Sequence, residues 1–209
     1  MITIVNMNSS NMASVINSFK KLGAEITLAE TPGEIQNAET LVLPGVGAFK
    51  NAMEFLQEKG LTESIREHAL TKEQPLLGIC LGMQLLADKS YEHGIHDGLG
   101  IIRGAVRELK PTDNEHVPNI GWCDTEFLKE SVLFLRIQGG TPFYYVHSYW
   151  FDAVQSGDSV SWIEFGGRNI TTSVQKKNIF GVQFHPEKSQ EAGLQLLQNF
   201  VDFSKRYNA

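Results

Sequence analysis

Three short runs rich in β-branched and apolar residues, at positions 2–6, 25–29 and 40–43, alternate with two helical patterns. Between the first two runs, Met12, Val15, Ile16, Phe19 and Leu22 recur at helical spacing, and Gly23 marks a stop. A polar turn at residues 6–11 precedes this helix and can cap it. Between the second and third runs, Thr31, Pro32 and Glu34 start a short helix that reaches Gln36, with Pro32 suited to the first turn. Strand–helix–strand–helix–strand order leaves few folds open. Parallel strands need a crossover, and the crossover helices must then cover both faces of the sheet. The predicted class is α/β, a mostly parallel central sheet with helices on both sides. In such a sheet ligands bind outside the carboxyl ends of the strands.

Two strand ends carry suggestive residues. Run 40–43 continues into Pro44, Gly45, Val46, Gly47 and Ala48. A helical pattern of Phe49, Met53, Phe55 and Leu56 follows, Gly60 breaks it, and Leu61, Ile65 and Leu70 continue on another helix. The second end lies in residues 75–86, which read as a strand to Ile79 and a helix from about Leu81 to Asp88, with Cys80 at the junction. By residue type alone, a free cysteine is usually a buried, inert one. At a strand end that opens a helix, a thiolate gains from the nearby backbone N–H groups. Gly78 and Gly82 leave room for a tight turn. The arrangement is that of a nucleophile elbow with cysteine in place of serine.

The second half supplies partners for that sulfur. Gly98, Gly100 and Gly104 punctuate short strands around 101–109, and residues 117–123 read as a loop or edge segment. Residues 143–151 read as one aromatic strand interrupted by His147 and Ser148. Strands follow at 162–174, broken by Gly166 and Gly167, and at 178–184; a last helix covers about 190–203. After the last strand comes His185, with Pro186 fixing the chain beside it and Glu187 two residues on. Residues two apart in an extended segment project to the same side, so Glu187 can orient the imidazole while its other nitrogen faces the thiol. Cysteine, base and orienting carboxylate are the parts of an acyl-transfer triad. Gly45, Val46 and Gly47 can present backbone N–H groups to an oxyanion, with the N–H of Leu81 as a second donor. Cys123 reads as structural, and His93, His96 and Asp97 as a solvated loop and not a metal site.

The chain has 209 residues, a length that suits one domain spanning 1–209. It is 42% hydrophobic and 20% charged, with a formal net charge of −6, which argues against a nucleic-acid backbone as partner. Two cysteines make no disulfide framework and point to a reducing, cytoplasmic setting. The N-terminal residues show no export signal, and no run is long enough to span a membrane.

Residues 78–84, Gly-Ile-Cys-Leu-Gly-Met-Gln, together with His185, Pro186 and Glu187, resemble the class I (triad) glutamine amidotransferases. Residues 44–49, 143–149 and 181–189 narrow the resemblance to the glutaminase subunits of imidazole glycerol phosphate synthases. The resemblance runs from the first strand to the last helix. It implies a flavodoxin-like fold in which a smaller antiparallel sheet accompanies the central one. It implies catalysis by Cys80, His185 and Glu187, an oxyanion hole at Gly45, Val46, Gly47 and Leu81, and a glutamine pocket of Gln84, Glu92, Tyr144, His147, Ser148 and Tyr149. No metal or other cofactor is implied. Asn11, Trp122 and Lys188 match positions facing the partner, a (β/α)8-barrel cyclase bound as a heterodimer that uses the ammonia in histidine biosynthesis. Two segments depart from the pattern. Asn6-Met7-Asn8-Ser9-Ser10-Asn11 stands for Asp-Tyr-Gly-x-Gly-Asn, and Gly121-Trp122-Cys123 for Gly-Trp-Asn. Related subunits that feed a sugar amidotransferase in surface-polysaccharide pathways are the alternative reading.

Overall fold

The computed structural model describes residues 1–207. Its first half follows the predicted alternation: β1 (Ile2–Val5), α1 (Met12–Lys21), β2 (Ile26–Ala29), α2 (Pro32–Gln36) and β3 (Leu41–Gly45). Next come α3 (Phe49–Glu58), α4 (Leu61–Arg66), a π-helical turn at Glu67–Thr71, β4 (Leu76–Cys80) and α5 (Leu81–Leu85). The start of α2 is a complete capping box. The Thr31 hydroxyl accepts from the Glu34 N–H, and the Glu34 carboxylate accepts from the Thr31 N–H at 2.9 Å. By contrast α1 has no side-chain cap, because Asn11 is engaged elsewhere. A lost cap costs about 1 kcal/mol. Burying Phe19 completely contributes about 1.5–3 kcal/mol, and Val15 is fully buried beside it. Packing therefore holds α1, and Asn11 is free for the site described below.

The second half comprises β5 (Lys89–Ser90), β6 (His96–Asp97), β7 (Gly104–Glu108), β8 (Asn119–Phe127), β9 (Thr141–His147) and β10 (Tyr149–Ala153). It closes with β11 (Ser159–Phe165), β12 (Arg168–Lys176), β13 (Ile179–Val182) and α6 (Gln190–Tyr207). The large sheet has the order β2-β1-β3-β4-β13-β12-β11-β8-β9. From β2 to β13 every pairing is parallel, and from β13 to β9 every pairing is antiparallel. The α/β class is the expected one, and the central sheet is mixed in detail. Hairpins such as β11–β12, turned by Gly166 and Gly167 at φ 65° and 68°, extend the crossover-built half without crossover helices. A second sheet, β10-β7-β5-β6, is antiparallel except for the pairing of β5 with β7.

Two expectations are corrected. Residues 143–151 are two strands in different sheets: β9 pairs with β8 in the large sheet and β10 with β7 in the small one, and Ser148 is the crossing point. Residues 117–123, read as loop or edge, run from 119 onward into a nine-residue strand, Asn119–Phe127, that lies between β11 and β9. Its outward positions Ile120 and Trp122 are apolar, so the usual polar-out alternation is hidden in the sequence.

Strand β4 lies inside the sheet between β3 and β13, buried on both faces. Period-two alternation divides the core. Leu41, Leu43 and Leu76 point toward α3 and α4, whereas Val42, Leu77 and Ile79 point toward α1 and α6. Register then assembles the site. Gly45 is opposite Cys80, and Val182 is opposite Ile79, so the loops after β3, β4 and β13 emerge side by side.

Candidate active site

Cys80 ends β4 with φ 53° and ψ −110°, a positive φ that costs a non-glycine residue about 1–3 kcal/mol. The surrounding packing enforces it. A Cβ on Gly82 would lie 1.7 Å from the Leu43 carbonyl oxygen, and one on Gly78 would lie 2.6 Å from the Gly82 carbonyl oxygen. Only glycine at both positions lets α5 fold back against β3 and β4. Helix α5 ends at Leu85, short of the expected Asp88, so individual N–H groups at its start, and not a long helix dipole, are available to an anion.

His185 follows β13 and leads into a 3₁₀ turn, Pro186–Lys188, with Pro186 in its first position. Its backbone is fixed on both sides. The His185 N–H donates to the Tyr144 carbonyl at 2.9 Å, and Ser189 Oγ donates to the His185 carbonyl at 2.7 Å while accepting from the Tyr144 N–H at 3.0 Å. His185 Nδ1 lies 2.7 Å from Glu187 Oε1, and both side chains are fully buried. The carboxylate accepts, so Nδ1 carries the proton. Among the described residues Nε2 has no hydrogen-bond partner, and Cys80 is its electrostatic neighbour. Burial alone would push the imidazole pKa down. The Cys80 sulfur and the Glu187 carboxylate outweigh that and raise it. Asn11 completes the row, its Nδ2 donating to the same Glu187 oxygen at 3.0 Å while its Oδ1 accepts from Ser9 Oγ at 2.8 Å. Asn11, expected to face a partner, is thus buried behind the carboxylate.

Beside Cys80 opens a cleft of about 480 Å³, within the range of small-molecule sites. Val46, Gly47, Leu81, Gln84, Glu92, His147, Ser148 and Tyr149 line it with Cys80. Gly47 has φ +106°, and Gly45 lies just beneath, against Leu81. Glu92 Oε2 accepts from the Phe49 N–H at 2.7 Å. This carboxylate supplies the N-terminal partner that Ala48 cannot give α3, and it ties the wall of the cleft to the Gly45–Gly47 turn. His147 is held neutral, its pKa lowered to about 4 by burial, with the charge on His185 adding to the effect. Its Nδ1 is 2.8 Å from the Tyr149 carbonyl. That carbonyl can only accept, so Nδ1 is the protonated nitrogen and Nε2 accepts from Asn119 Nδ2 at 3.2 Å.

Tyr144, expected in the pocket, lies outside the cleft lining. Neighbouring residues of β9 point to opposite faces, and Tyr144 packs edge-on against Trp122, with the Lys188 ammonium 5.7 Å from its ring centre. Trp122 and Lys188 therefore share one surface with Tyr144. Sequence reasoning overlooked Gln183, Ser189 and Asn119. Gln183 and Ser189 lie inside the motif that supplied His185, but a polar residue in a strand gives no sign of what it faces.

Residues 3–203 match the family model for class-I glutamine amidotransferases. The chain is 42% identical over 201 residues to imidazole glycerol phosphate synthase subunit HisH 1 of Campylobacter jejuni strain RM1221, covering 96% of this chain and 99% of that protein. It is 43% identical over 202 residues to subunit HisH of Chlorobium luteolum, covering 97% and 100%. Among solved structures, one described as PurLQS from Thermotoga maritima superposes with a TM-score of 0.76 at 16% identity over 97% of each chain. Another, a glutamine amidotransferase, gives 0.74 at 16% identity over 98% of each. At such identities these two speak for the fold alone. With the family match running almost end to end and the fold in agreement, the chain belongs to the class-I glutamine amidotransferases.

Proposed function

We propose that this chain, as one glutaminase domain over residues 1–209, hydrolyses glutamine and delivers ammonia to the cyclase partner of an imidazole glycerol phosphate synthase. The Cys80 thiolate attacks the side-chain amide carbon, and the carbonyl becomes an oxyanion facing N–H groups of the Gly45–Gly47 turn and of Leu81. His185 passes a proton to the amide nitrogen, the C–N bond breaks, and ammonia leaves. A water molecule, deprotonated by His185, then attacks the thioester and releases glutamate and the thiolate. Glu187 keeps the imidazole oriented and supports its charge. Gln84, Glu92, His147, Ser148 and Tyr149 hold glutamine. Ammonia passes to a (β/α)8-barrel partner that docks on the surface of Trp122 and Lys188, and reacts there to give imidazole glycerol phosphate and the aminoimidazole carboxamide ribonucleotide.

The observation carrying this reading is the near-full-length identity, above 40%, to two HisH subunits in a chain that also keeps Cys80 beside a buried His185–Glu187 pair. No relative named above points to a sugar amidotransferase, so that alternative is not favoured. Glutamine hydrolysis by the purified chain, with and without the cyclase from the same genome and its nucleotide ligand, tests the proposal. Strong stimulation is expected, with loss of activity in Cys80→Ala. An active glutaminase that the cyclase does not stimulate would remove the histidine-pathway assignment, and full activity in Cys80→Ala would remove the nucleophile.

A further inference from the structure

Gln183 touches the proposed nucleophile and has no part in the mechanism above. Its side chain is fully buried, and its Nε2 lies 3.6 Å from the Cys80 sulfur. It stands two residues before His185, so the same strand end approaches the sulfur with two side chains. A glutamine amide can be turned either way, and the direction of this contact decides what it does.

The surrounding network settles that direction. Gln84 is 3.0 Å from the Tyr149 carbonyl, which can only accept. The atom that Gln84 presents there must therefore be its nitrogen. The same Nε2 is 2.9 Å from the Gln183 side chain, so Gln183 must offer its oxygen. The remaining group, Nε2, then faces sulfur as a donor. His147 Nδ1 donates to the same Tyr149 carbonyl, which makes that oxygen the fixed reference of the network. Main-chain geometry at the β9–β10 crossing thus sets the polarity of a side chain that touches Cys80.

We propose that Gln183 is a further residue of the reaction machinery, donating a hydrogen bond to the Cys80 thiolate that holds the sulfur in line for attack. This rests on the glutaminase reading of the site. A hydrogen bond to an ionised group is stronger than one to a neutral acceptor. The bond is therefore strong to the free thiolate, weak to the thioester, and strong again as sulfur leaves during hydrolysis. Gln183 donates to the sulfur while His185 is its electrostatic neighbour, and turnover needs both the attacking and the departing thiolate.

Two variants separate this role from simple packing. Gln183→Glu keeps the shape and still accepts from Gln84, but an ionised carboxylate turned toward sulfur repels the thiolate. Gln183→Met keeps the bulk and loses both bonds. Each is compared with the unaltered chain, in complex with the cyclase from the same genome, for kcat, KM for glutamine, and the rate of Cys80 alkylation by iodoacetamide at neutral pH. The proposal expects kcat and alkylation to fall about tenfold or more in Gln183→Met, and further in Gln183→Glu, with KM changed less than about twofold in Gln183→Glu, which keeps the bond to Gln84. A purely structural residue predicts the reverse order, since Gln183→Glu retains the bond to Gln84. Equal or milder loss in Gln183→Glu, or alkylation unchanged in both, would overturn the proposal. If Gln183→Met does not fold, Gln183→Glu alone decides it by alkylation. An inactive unaltered complex would count instead against the glutaminase reading, and the alkylation order would still report on the sulfur contact.

Discussion

Asn11 shows how one residue can be placed correctly in a motif and wrongly in space. The motif comparison puts it at a partner surface, because it closes the turn after β1 that faces the partner in the family pattern. In the fold it is buried and donates to the Glu187 oxygen that also holds His185 Nδ1. An amide there does two things for the base: it fixes the carboxylate rotamer, and it supplies a donor in a place closed to water. Asn11→Ala is therefore expected to lower kcat about tenfold, near the ~1.5 kcal/mol lower end for a hydrogen bond to a charged group, with little change in KM. Steady-state kinetics of the activated complex would check this. A raised KM at constant kcat would instead put Asn11 in substrate binding. That Cys80, His185 and Glu187 come together was legible, because their types and spacing have few other uses. Asn11, Gln183 and Asn119 were not, because an amide carries no intrinsic chemistry and its role is set by what the fold puts against it.

Among the elements, regular ones were legible and junctions were not. The first three strands and the helices between them fall close to the residues where apolar periodicity put them, since each must bury one face. The β9–β10 crossing was missed because a continuous aromatic run cannot reveal that its halves belong to different sheets. The π-helical turn Glu67–Thr71 was likewise read as ordinary helix, and it carries a buried histidine whose effect depends on pH. His68 Nε2 is 3.1 Å from the Pro75 carbonyl, an acceptor, so the ring is protonated there and held neutral. Burial lowers its pKa from 6.5, with the nearby Lys72 charge acting in the same direction. As pH falls through 6.5, the unfolded chain takes up this proton and the folded chain resists it, so stability decreases toward acid. His147 has the same sign. His185 has the opposite sign: its raised pKa keeps it protonated in the fold, so its share is complete only below 6.5, where the unfolded chain is protonated too, and is lost as pH rises toward the raised value. Urea midpoints measured from about pH 6 to about pH 5, where the share of His185 is already complete, should fall in the unaltered chain, and fall less steeply in His68→Phe. Equal slopes would show that the turn opens to protonate the ring without unfolding.

For the whole molecule, the parallel half of the sheet brings the loops after β3, β4 and β13 to one edge, and the antiparallel extension builds a surface beside it. Strands β8 and β9 present Ile120, 61% exposed, and Trp122, 47% exposed, on the face where Tyr144 and Lys188 meet. Large apolar side chains held open on a long strand are costly unless something covers them. This surface is continuous with the site: β8 begins at Asn119, which bonds His147 in the cleft wall, and Lys188 follows Glu187. A partner seated there would reach the base and the cleft through two short connections, whereas Leu70, also exposed, lies in the turn leading into the opposite end of β4. Aromatic anchors of this kind dominate binding energies, with losses of about 2 kcal/mol or more on truncation. Trp122→Ala is accordingly expected to weaken cyclase binding about thirtyfold, while the chain alone hydrolyses glutamine at its unaltered basal rate. Leu70→Ala should change neither. Titration of the cyclase against each variant, followed by stimulated glutaminase activity, reads both quantities at once. If Trp122→Ala lowers the basal rate as well, β8 supports the site itself. If it leaves binding untouched, the partner docks elsewhere and the open aromatic face needs another occupant.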